Sequence, residues 1–291
     1  MKTSELYDLI EVSIGIQGGP QMLRSLLESI LLSNYNLTNV EASEEAERLE
    51  PRVAKYIDKK VEECVNRNTI HRIETAGSFG DHVRGSCHIN SSDSDDIVAA
   101  KNRRLSSIPI LNDLRSLHFN DFELFGAKLL RLLGAKKASV TPQSNDQGID
   151  FYGSLNVGDV SGISTDLIHF SHQLEIKFAG QAKHYPNNSI GPSVVRELVG
   201  ALTLARYRIF STQSDDLFED LELLPLNPIF LMIISTGPIT SGARELSRKL
   251  GIMIKSGEQI ASFLADSGVG MKNINGSFAY DKSEFYKWIR M

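Results

Sequence analysis

The segment Leu174–His184 constrains the fold more than any other part of this 291-residue chain. Apolar and polar residues alternate along it, the apolar ones being Leu174, Ile176 and Phe178 and the polar ones Glu175, Lys177, Gln181 and Lys183. An alternation with a period of two is typical of a β-strand that buries one of its faces. Because Gln181 and Lys183 are two residues apart, we expect both side chains on the same face of a sheet.

Helical and strand-like segments alternate around this strand. The spacing of apolar residues predicts a helix over about 120–133, which Gly134 ends. Further strand-like or helical segments are predicted over 138–141, 149–155, 192–208, 229–235, 241–250, 252–255 and from residue 258 onward. This order favours an α/β sandwich with a mixed sheet.

The first hundred residues have a mainly helical pattern. Apolar residues three and four apart predict one helix after Gly18-Gly19-Pro20, and Pro51 favours the first turn of another. The polar face of this second helix carries Lys55, Lys59 and Lys60, and a strand-like run follows it. Helices before a short β-ribbon are typical of a winged helix-turn-helix whose basic helix contacts DNA. A small helical domain with a solvated basic face is the alternative.

A polar stretch over residues 88–117 separates the two patterns, and we expect it to be a linker or a loosely packed connector. The sequence therefore predicts two domains. A mainly helical, possible DNA-recognition domain is expected over 1–112 and an α/β domain over 113–291.

Composition excludes several classes of protein. No apolar run approaches the roughly 18 residues of a membrane span, and the polar start of the sequence does not predict a secretory signal. Cys64 and Cys87 are too few for a disulfide framework or a thiolate zinc site. The net charge of −5 does not favour a protein that coats nucleic acid, although an enzyme that grips phosphates locally can be acidic overall. We expect a cytoplasmic protein without a membrane partner.

The polar residues of the central strand suggest a catalytic chemistry. Asp150 lies near the start of another predicted strand and would approach Gln181 and Lys183 if the two strands pair. A carboxylate, a side-chain oxygen and an ammonium group at one sheet edge can bind Mg²⁺ and position a water. Such a combination also occurs by chance in many α/β proteins, so the spacing alone does not assign it.

Residues 119–265 resemble the catalytic domain of the Mrr-like restriction endonucleases, a branch of the PD-(D/E)xK nuclease superfamily. The resemblance rests on five blocks in order: Phe122-Glu123-x-Phe125-x-Ala127-x-Leu129-Leu130, Asp146-Gln147-Gly148-Ile149-Asp150, Gln181-Ala182-Lys183-His184-Tyr185, Val194-Val195-Arg196-Glu197-Leu198-x-Gly200-Ala201-Leu202, and Ser235-Thr236-Gly237. It implies a restriction-endonuclease-like fold and a nuclease catalytic domain over 113–291.

The resemblance also implies roles for individual residues. Asp150 and Gln181 would be metal ligands, Gln181 standing where most of the superfamily has an acidic residue, and Lys183 would be catalytic. Glu123 would be the acidic residue on the helix that often completes the site. A backbone carbonyl, assigned to Ala182, would complete a set of hard oxygen ligands for Mg²⁺, with Mn²⁺ as a substitute.

Two features depart from the family pattern. The loop between Asp150 and Gln181 is longer than expected, and so is the polar stretch Thr212–Leu224. Glu175-Ile176-Lys177 is also a rival E-x-K motif, six residues before Gln181-Ala182-Lys183 and about 20 Å away along an extended chain, so both cannot serve one metal. We prefer the second motif because the later blocks follow it in the family's order.

These observations lead to one functional hypothesis with two alternatives. The hypothesis is a Mg²⁺-dependent endonuclease for double-stranded DNA, serving restriction of foreign or modified DNA in antiviral defence. We expect a homodimer or a larger homo-oligomer, because one active site cuts one strand. The alternatives are an inactive nuclease-like module that binds DNA or protein, and a repair, junction-resolving or RNA nuclease on the same fold.

Overall fold

The computed structural model describes residues 1–141, 148–159, 174–206, 227–274 and 277–291. These residues form two compact units, of which one comprises 1–110 with 262–281 and the other 111–261 with 282–291. The division in the chain after residue 110 lies close to the predicted boundary after residue 112. Residues 262–281, however, belong to the first unit, whereas the sequence assigned them to the second domain.

Residues 1–85 of the first unit form three helices and a small antiparallel sheet. In chain order these elements are α1 (Thr3–Ile14), β1 (Gln21–Met22), α2 (Leu23–Tyr35), α3 (Asn39–Asn66), β2 (Ile73–Ala76) and β3 (His82–Gly85). The strands pair in the order β1-β3-β2. The order of helices followed by a short β-ribbon is the one that the sequence predicted for this region. The five apolar residues that predicted α2 are all buried in its core, namely Leu23, Leu26, Leu27, Ile30 and Leu31.

The predicted start of the basic helix at Pro51 is wrong. Helix α3 begins twelve residues earlier, at Asn39, where Thr38 and Glu41 form a reciprocal capping box, and Pro51 lies inside the helix. The reason is burial: Ala42, Ala46 and Leu49 continue the buried stripe of Val53 and Ile57 toward the N-terminus. Their contact with the core stabilises the helix despite the hydrogen bond that proline removes.

The predicted linker over 88–117 is also wrong. Most of it is a 22-residue helix, α4 (Asp95–Ser116), which begins in the first unit and ends in the second. Its apolar residues do not form one stripe and Pro109 lies inside it, so the sequence carries no helical periodicity there. The segment is anchored by a buried ion pair in which Lys101 Nζ is 2.7 Å from Asp93 Oδ2.

The second unit is built on a five-stranded mixed sheet. Its elements are the C-terminal part of α4, α5 (Phe119–Leu132), β4 (Lys137–Val140), β5 (Phe151–Asn156), β6 (Glu175–Lys183), α6 (Pro192–Arg206), β7 (Ile229–Ser235), α7 (Ser241–Leu250), β8 (Met253–Lys255), the first residues of α8 (Gly257–Asp266), and α9 (Lys282–Arg290). The strand order is β4-β5-β6-β7-β8, in which β4, β5 and β6 are antiparallel and β6, β7 and β8 are parallel. The predicted fold class, an α/β sandwich with a mixed sheet after a mainly helical region, is confirmed.

Helices cover both faces of this sheet. On one face, Gly126 of α5 and Gly180 of β6 lie so close to the ring of Phe151 that a Cβ on either glycine would overlap it. On the other face, Val195 and Leu198 of α6 pack in one buried cluster with strand residues that include Ala179 and Ile233. The block around Val194–Leu202 therefore has a packing role.

Two short strands, β9 (Met271–Ile274) and β10 (Ser277–Tyr280), form an antiparallel hairpin in the first unit. The sequence did not predict this hairpin or helix α9. Among the helices within the described ranges, none has both the length and the apolar character needed to cross a bilayer. Asp146, Gln147 and the polar stretch Thr212–Leu224 lie outside the described residues.

Candidate active site

Asp150 lies beside residues 180–182 of β6, at a bulge where the pairing of β5 with β6 begins. The register pairs Phe151 with Gly180, but the Asp150 N–H donates to the Gly180 carbonyl over 2.9 Å while the Asp150 carbonyl accepts from Thr141 on the β4 side. In regular pairing both backbone groups of Asp150 would face the same strand, so Asp150 departs from the register. Gln181 and Lys183, two residues apart on β6, share a face. The structure thus brings Asp150, Gln181 and Lys183 together at the carboxyl end of β6.

The carboxylate of Asp150 is held by the backbone of β6. Asp150 is only 8% exposed, and its Oδ2 accepts a hydrogen bond of 2.7 Å from the backbone N–H of Ala182. In an extended strand, the N–H and carbonyl of one residue point to the same side. The carbonyl of Ala182 therefore faces the β5 side of the strand, where Asp150 lies.

Gln181 provides a buried oxygen that lacks a partner. The residue is 3% exposed, and within the described part of the chain its Oε1 finds no hydrogen-bond partner. Leaving such an acceptor unpaired costs about 1–3 kcal/mol. Gly148 lies next to the Gln181 amide, because a Cβ on this glycine would be 3.8 Å from Gln181 Nε2. The φ of Gly148 is +86°, in the left-handed region that favours glycine. An unpaired oxygen beside a carboxylate fits the donor set of a hard divalent cation.

The segments that follow β6 and β7 hold the end of the site. The Lys183 carbonyl accepts hydrogen bonds from the N–H groups of Tyr185 and Thr236, over 3.0 and 3.3 Å. A Cβ on Gly237 would overlap the carbonyl of Tyr185. Only glycine allows this close approach, which gives the Ser235-Thr236-Gly237 block a structural reason.

Glu123 lies in the N-terminal part of α5, and its role stays a prediction. Helix α5 packs on the sheet where Gly126 meets the ring of Phe151, the residue after Asp150. The same part of the helix reaches the end of β6, since the Phe122 ring makes an edge contact with His184 at 5.8 Å between centroids.

The rival pair Glu175 and Lys177 lies far from Asp150. Lys177 is opposite Ser154 in the register, about 13 Å along β6 from Gln181. Its buried Nζ is 2.6 Å from Glu175 Oε2. Burial would raise the pKa of Glu175, but hydrogen bonds from Lys177 and Ser154 lower it below its ordinary value. Lys177 is buried and the Glu175 side chain is 35% exposed, and the structure does not bring this ion pair to Asp150.

The three lysines predicted to contact DNA are divided between two environments. Lys55 and Lys59 line an open cavity of about 900 Å³ together with Lys2, Arg52, Asp58 and Glu62. We call this surface the cationic groove. Lys60 is not among its lining residues: its Nζ lies 3.2 Å from Glu63 and 5.5 Å from the centroid of the Tyr56 ring. The sequence missed Lys2, because the contact between the start of α1 and the middle of α3 is long-range.

A conventional metal cluster does not explain the site. Across the residues that the structure describes, no group of three or more His, Cys, Asp or Glu side chains could hold a metal ion. Within these residues, a cation at Asp150 would be held by amide, hydroxyl or carbonyl oxygens in addition to that carboxylate.

Comparison with known proteins gives a family match within the α/β domain. Residues 114–216, about a third of the chain, match the model of the Mrr catalytic-domain family, described as restriction endonuclease. No curated protein matches the sequence.

Several solved structures resemble the chain at low identity. The DNA modification-dependent restriction endonuclease AspBHI aligns at 16% identity and a TM-score of 0.42, over 72% of this chain and 45% of its own. MspJI restriction endonuclease in complex with a 27-mer oligonucleotide aligns at 16% identity and a TM-score of 0.34, over 61% of this chain and 35% of its own. Restriction endonuclease FokI bound to DNA aligns at 12% identity and a TM-score of 0.36, over 84% of this chain and 44% of its own.

The chain spans less than half the length of these structures. The family assignment thus rests on the sequence match over the α/β domain. Residues 114–216 of this chain match the catalytic-domain model of the Mrr-type restriction endonucleases.

Proposed function

We propose that this protein is a Mg²⁺-dependent endonuclease that hydrolyses phosphodiester bonds in double-stranded DNA. One observation carries the proposal: the Asp150 carboxylate is hydrogen-bonded to the Ala182 N–H beside Gln181, and the buried Gln181 Oε1 lacks a partner among the described residues. Lys183 lies on the same face of β6 as Gln181. The match of residues 114–216 to the model of a nuclease family supports this interpretation.

The proposed cation ligands are all hard oxygens. They are the Asp150 carboxylate, the Gln181 side-chain oxygen and the Ala182 carbonyl, a set that suits Mg²⁺ or Mn²⁺. When bound, the cation supplies Lewis-acid activation of the phosphodiester and a lower pKa for water. The hydrogen bond from the Ala182 N–H to Asp150 keeps the carboxylate oriented before any ligand arrives.

Lys183 acts on the water and on the phosphate. Its ammonium group can orient the attacking water and can stabilise the negative charge that develops on phosphorus oxygens. Lys183 ends a strand whose backbone is hydrogen-bonded to both neighbouring segments. The position of its backbone is therefore fixed, and only the side chain has to adjust to the substrate.

Nicking of supercoiled plasmid by the purified chain tests the proposal. We expect nicked and linear products with Mg²⁺ and none from an Asp150→Ala variant prepared in parallel. Binding of plasmid without cleavage in any divalent metal would favour the inactive binding module. Faster cleavage of RNA or of branched DNA than of plain duplex would favour the other nuclease roles.

We further propose that the activity serves restriction of foreign or modified DNA in the cytoplasm. The comparison of methylated and unmethylated forms of one plasmid examines this role. A restriction enzyme discriminates between the two forms or between plasmids of different sequence, whereas a general nuclease cuts all of them at similar rates.

The first unit is proposed to contact the DNA backbone through the cationic groove. Lys2, Arg52, Lys55 and Lys59 place four positive charges around it, against Asp58 and Glu62. The N-terminal half of α3 is instead acidic, with glutamates at positions 41, 44, 45, 47 and 50. Because the N-terminal residues of a recognition helix normally reach base edges, this acidic half is unsuited to the major groove. Contact with phosphates in the groove implies binding with little sequence preference.

Reversing two of these charges should weaken DNA binding. We expect the double variant Lys55→Glu, Lys59→Glu to bind all duplex sequences about tenfold more weakly or worse, and to reduce the slope of log K against log salt by about 2. Titration of a labelled duplex by anisotropy at several salt concentrations measures both quantities. The matched control is Lys60→Glu, which reverses a charge on the same helix at a residue that does not line the groove. Glu63 lies 3.2 Å from Lys60 and 3.9 Å from Lys59, so it neighbours a lysine of each kind. An effect per reversed charge equal to that of this control would contradict the groove.

The working form is proposed to be a dimer or a larger oligomer. One Asp150–Gln181 site breaks one phosphodiester, and two-fold symmetry matches the symmetry of a duplex. Sedimentation velocity of the free protein and of its DNA complex should show at least two copies on each cleaved duplex. A strictly monomeric protein that still breaks both strands promptly would contradict this.

A further inference from the structure

Thr141 lies on the other side of Asp150 from Gln181. The register that pairs Val140 with Phe151 makes Thr141 the next residue opposite Asp150, and the Thr141 N–H donates to the Asp150 carbonyl over 2.9 Å. Val140 and Gly180 both pair with Phe151, so the next residues, Thr141 and Gln181, lie on the other face of the sheet, which also carries Lys183. Asp150 lies between them, joined to Thr141 by this backbone bond and to β6 by the hydrogen bond from the Ala182 N–H to its carboxylate.

The hydroxyl of Thr141, like the amide oxygen of Gln181, is buried and lacks a hydrogen-bond partner among the described residues. Thr141 is 3% exposed. Buried polar atoms are nearly always paired, so an unpaired one calls for an explanation such as a ligand. Here two unpaired oxygens flank the carboxylate of Asp150.

We propose that Thr141 Oγ1 is a third side-chain oxygen ligand of the cation that binds Asp150 and Gln181. The inference rests on the proposed nuclease function and adds a residue to its site. Three oxygens with one negative charge between them attract a hard cation and would repel an anion. A hydroxyl can accept this role because it carries lone pairs as well as a proton.

A purely structural role for the hydroxyl predicts a different response to mutation. If Thr141 stabilised the fold through a hydrogen bond, Thr141→Val would lower the melting temperature without metal. Since its Oγ1 has no partner among the described residues, we expect the melting temperature of the metal-free variant to be equal to or higher than that of the unmodified chain. The loss should appear in cation affinity.

Titration calorimetry of Mn²⁺ binding to the full chain, without DNA, tests the proposal. We expect Thr141→Val to weaken Mn²⁺ binding about tenfold or more, and Thr141→Ser, which keeps the hydroxyl, to remain within about threefold of the unmodified protein. Ser247→Ala is the matched control, since Ser247 is also buried with an unpaired hydroxyl but lies on α7. It should leave the affinity unchanged.

Three results would overturn the proposal. One is full Mn²⁺ affinity in Thr141→Val, and another is an equal loss in the serine and valine variants, which would show that shape rather than the hydroxyl matters. A lower melting temperature of Thr141→Val without metal would assign a structural role. Asp150→Ala separates this failure from that of the function: if it too binds Mn²⁺ like the unmodified chain, the whole cation site is rejected.

Discussion

Replacing Asp150 or Lys183 by alanine is expected to reduce DNA cleavage by about a hundredfold to a thousandfold or more, while DNA affinity stays nearly unchanged. Asp150→Ala removes the only carboxylate of the proposed ligand set, and Lys183→Ala removes the charge that faces the phosphate. The cationic groove is far along the chain from both positions and should keep its affinity. Single-turnover nicking rates and duplex titrations without metal measure the two effects separately.

Lys177 provides a sharp control for Lys183, because both lysines lie on the same face of β6. Lys177→Met should lower the melting temperature, since it leaves the carboxylate of Glu175 without its ion-pair partner. Below that temperature the variant should still cut DNA. If Lys177→Met abolished cleavage and Lys183→Ala did not, the Glu175-x-Lys177 motif would be the catalytic one. Glu123→Ala should have a smaller effect than Asp150→Ala, because Glu123 is not part of the proposed ligand set.

Removal of divalent metal is expected to stop cleavage completely. The site offers oxygens and one carboxylate, and Lys183 alone cannot replace the Lewis acid that phosphodiester hydrolysis requires in this arrangement. Addition of EDTA to an active reaction should end product formation, and excess Mg²⁺ or Mn²⁺ should restore it. The measurement is a time course of plasmid nicking through both additions. Cleavage that continues in excess chelator would reject the proposed mechanism, whatever the effect of Asp150→Ala.

The sequence by itself determined the features that depend on local periodicity. The alternation along Leu174–His184 identified β6 and placed Gln181 and Lys183 on one face, because side chains of a strand repeat every two residues. The spacing of apolar residues identified α2 for the corresponding reason. Both signals are complete within about ten residues, so no distant contact was needed.

Helix boundaries in polar segments depended on the tertiary structure. The N-terminal half of α3 has the sequence of an acidic, solvent-exposed segment. It is helical because the core of the first unit buries Ala42, Ala46 and Leu49. Helix α4 lacks one apolar stripe and contains Pro109, so its sequence resembles a connector. In both segments burial against other elements outweighs weak or unfavourable local propensity.

The assembly of the candidate site was decided by strand register, which is a long-range property. The sequence predicted that Asp150 would lie near Gln181 only if their two strands paired with each other. Asp150 meets β6 at a bulge just before the regular pairing of β5 begins, a feature that alternation along one strand does not predict. The register of β5 and β6 places Ser154 opposite Lys177, and pairing with β4 brings Thr141 beside Asp150. Sequence periodicity therefore identified the faces of individual strands, and only the packing of helices on both sides of the sheet selected which side chains meet, because burial of apolar faces fixes the register.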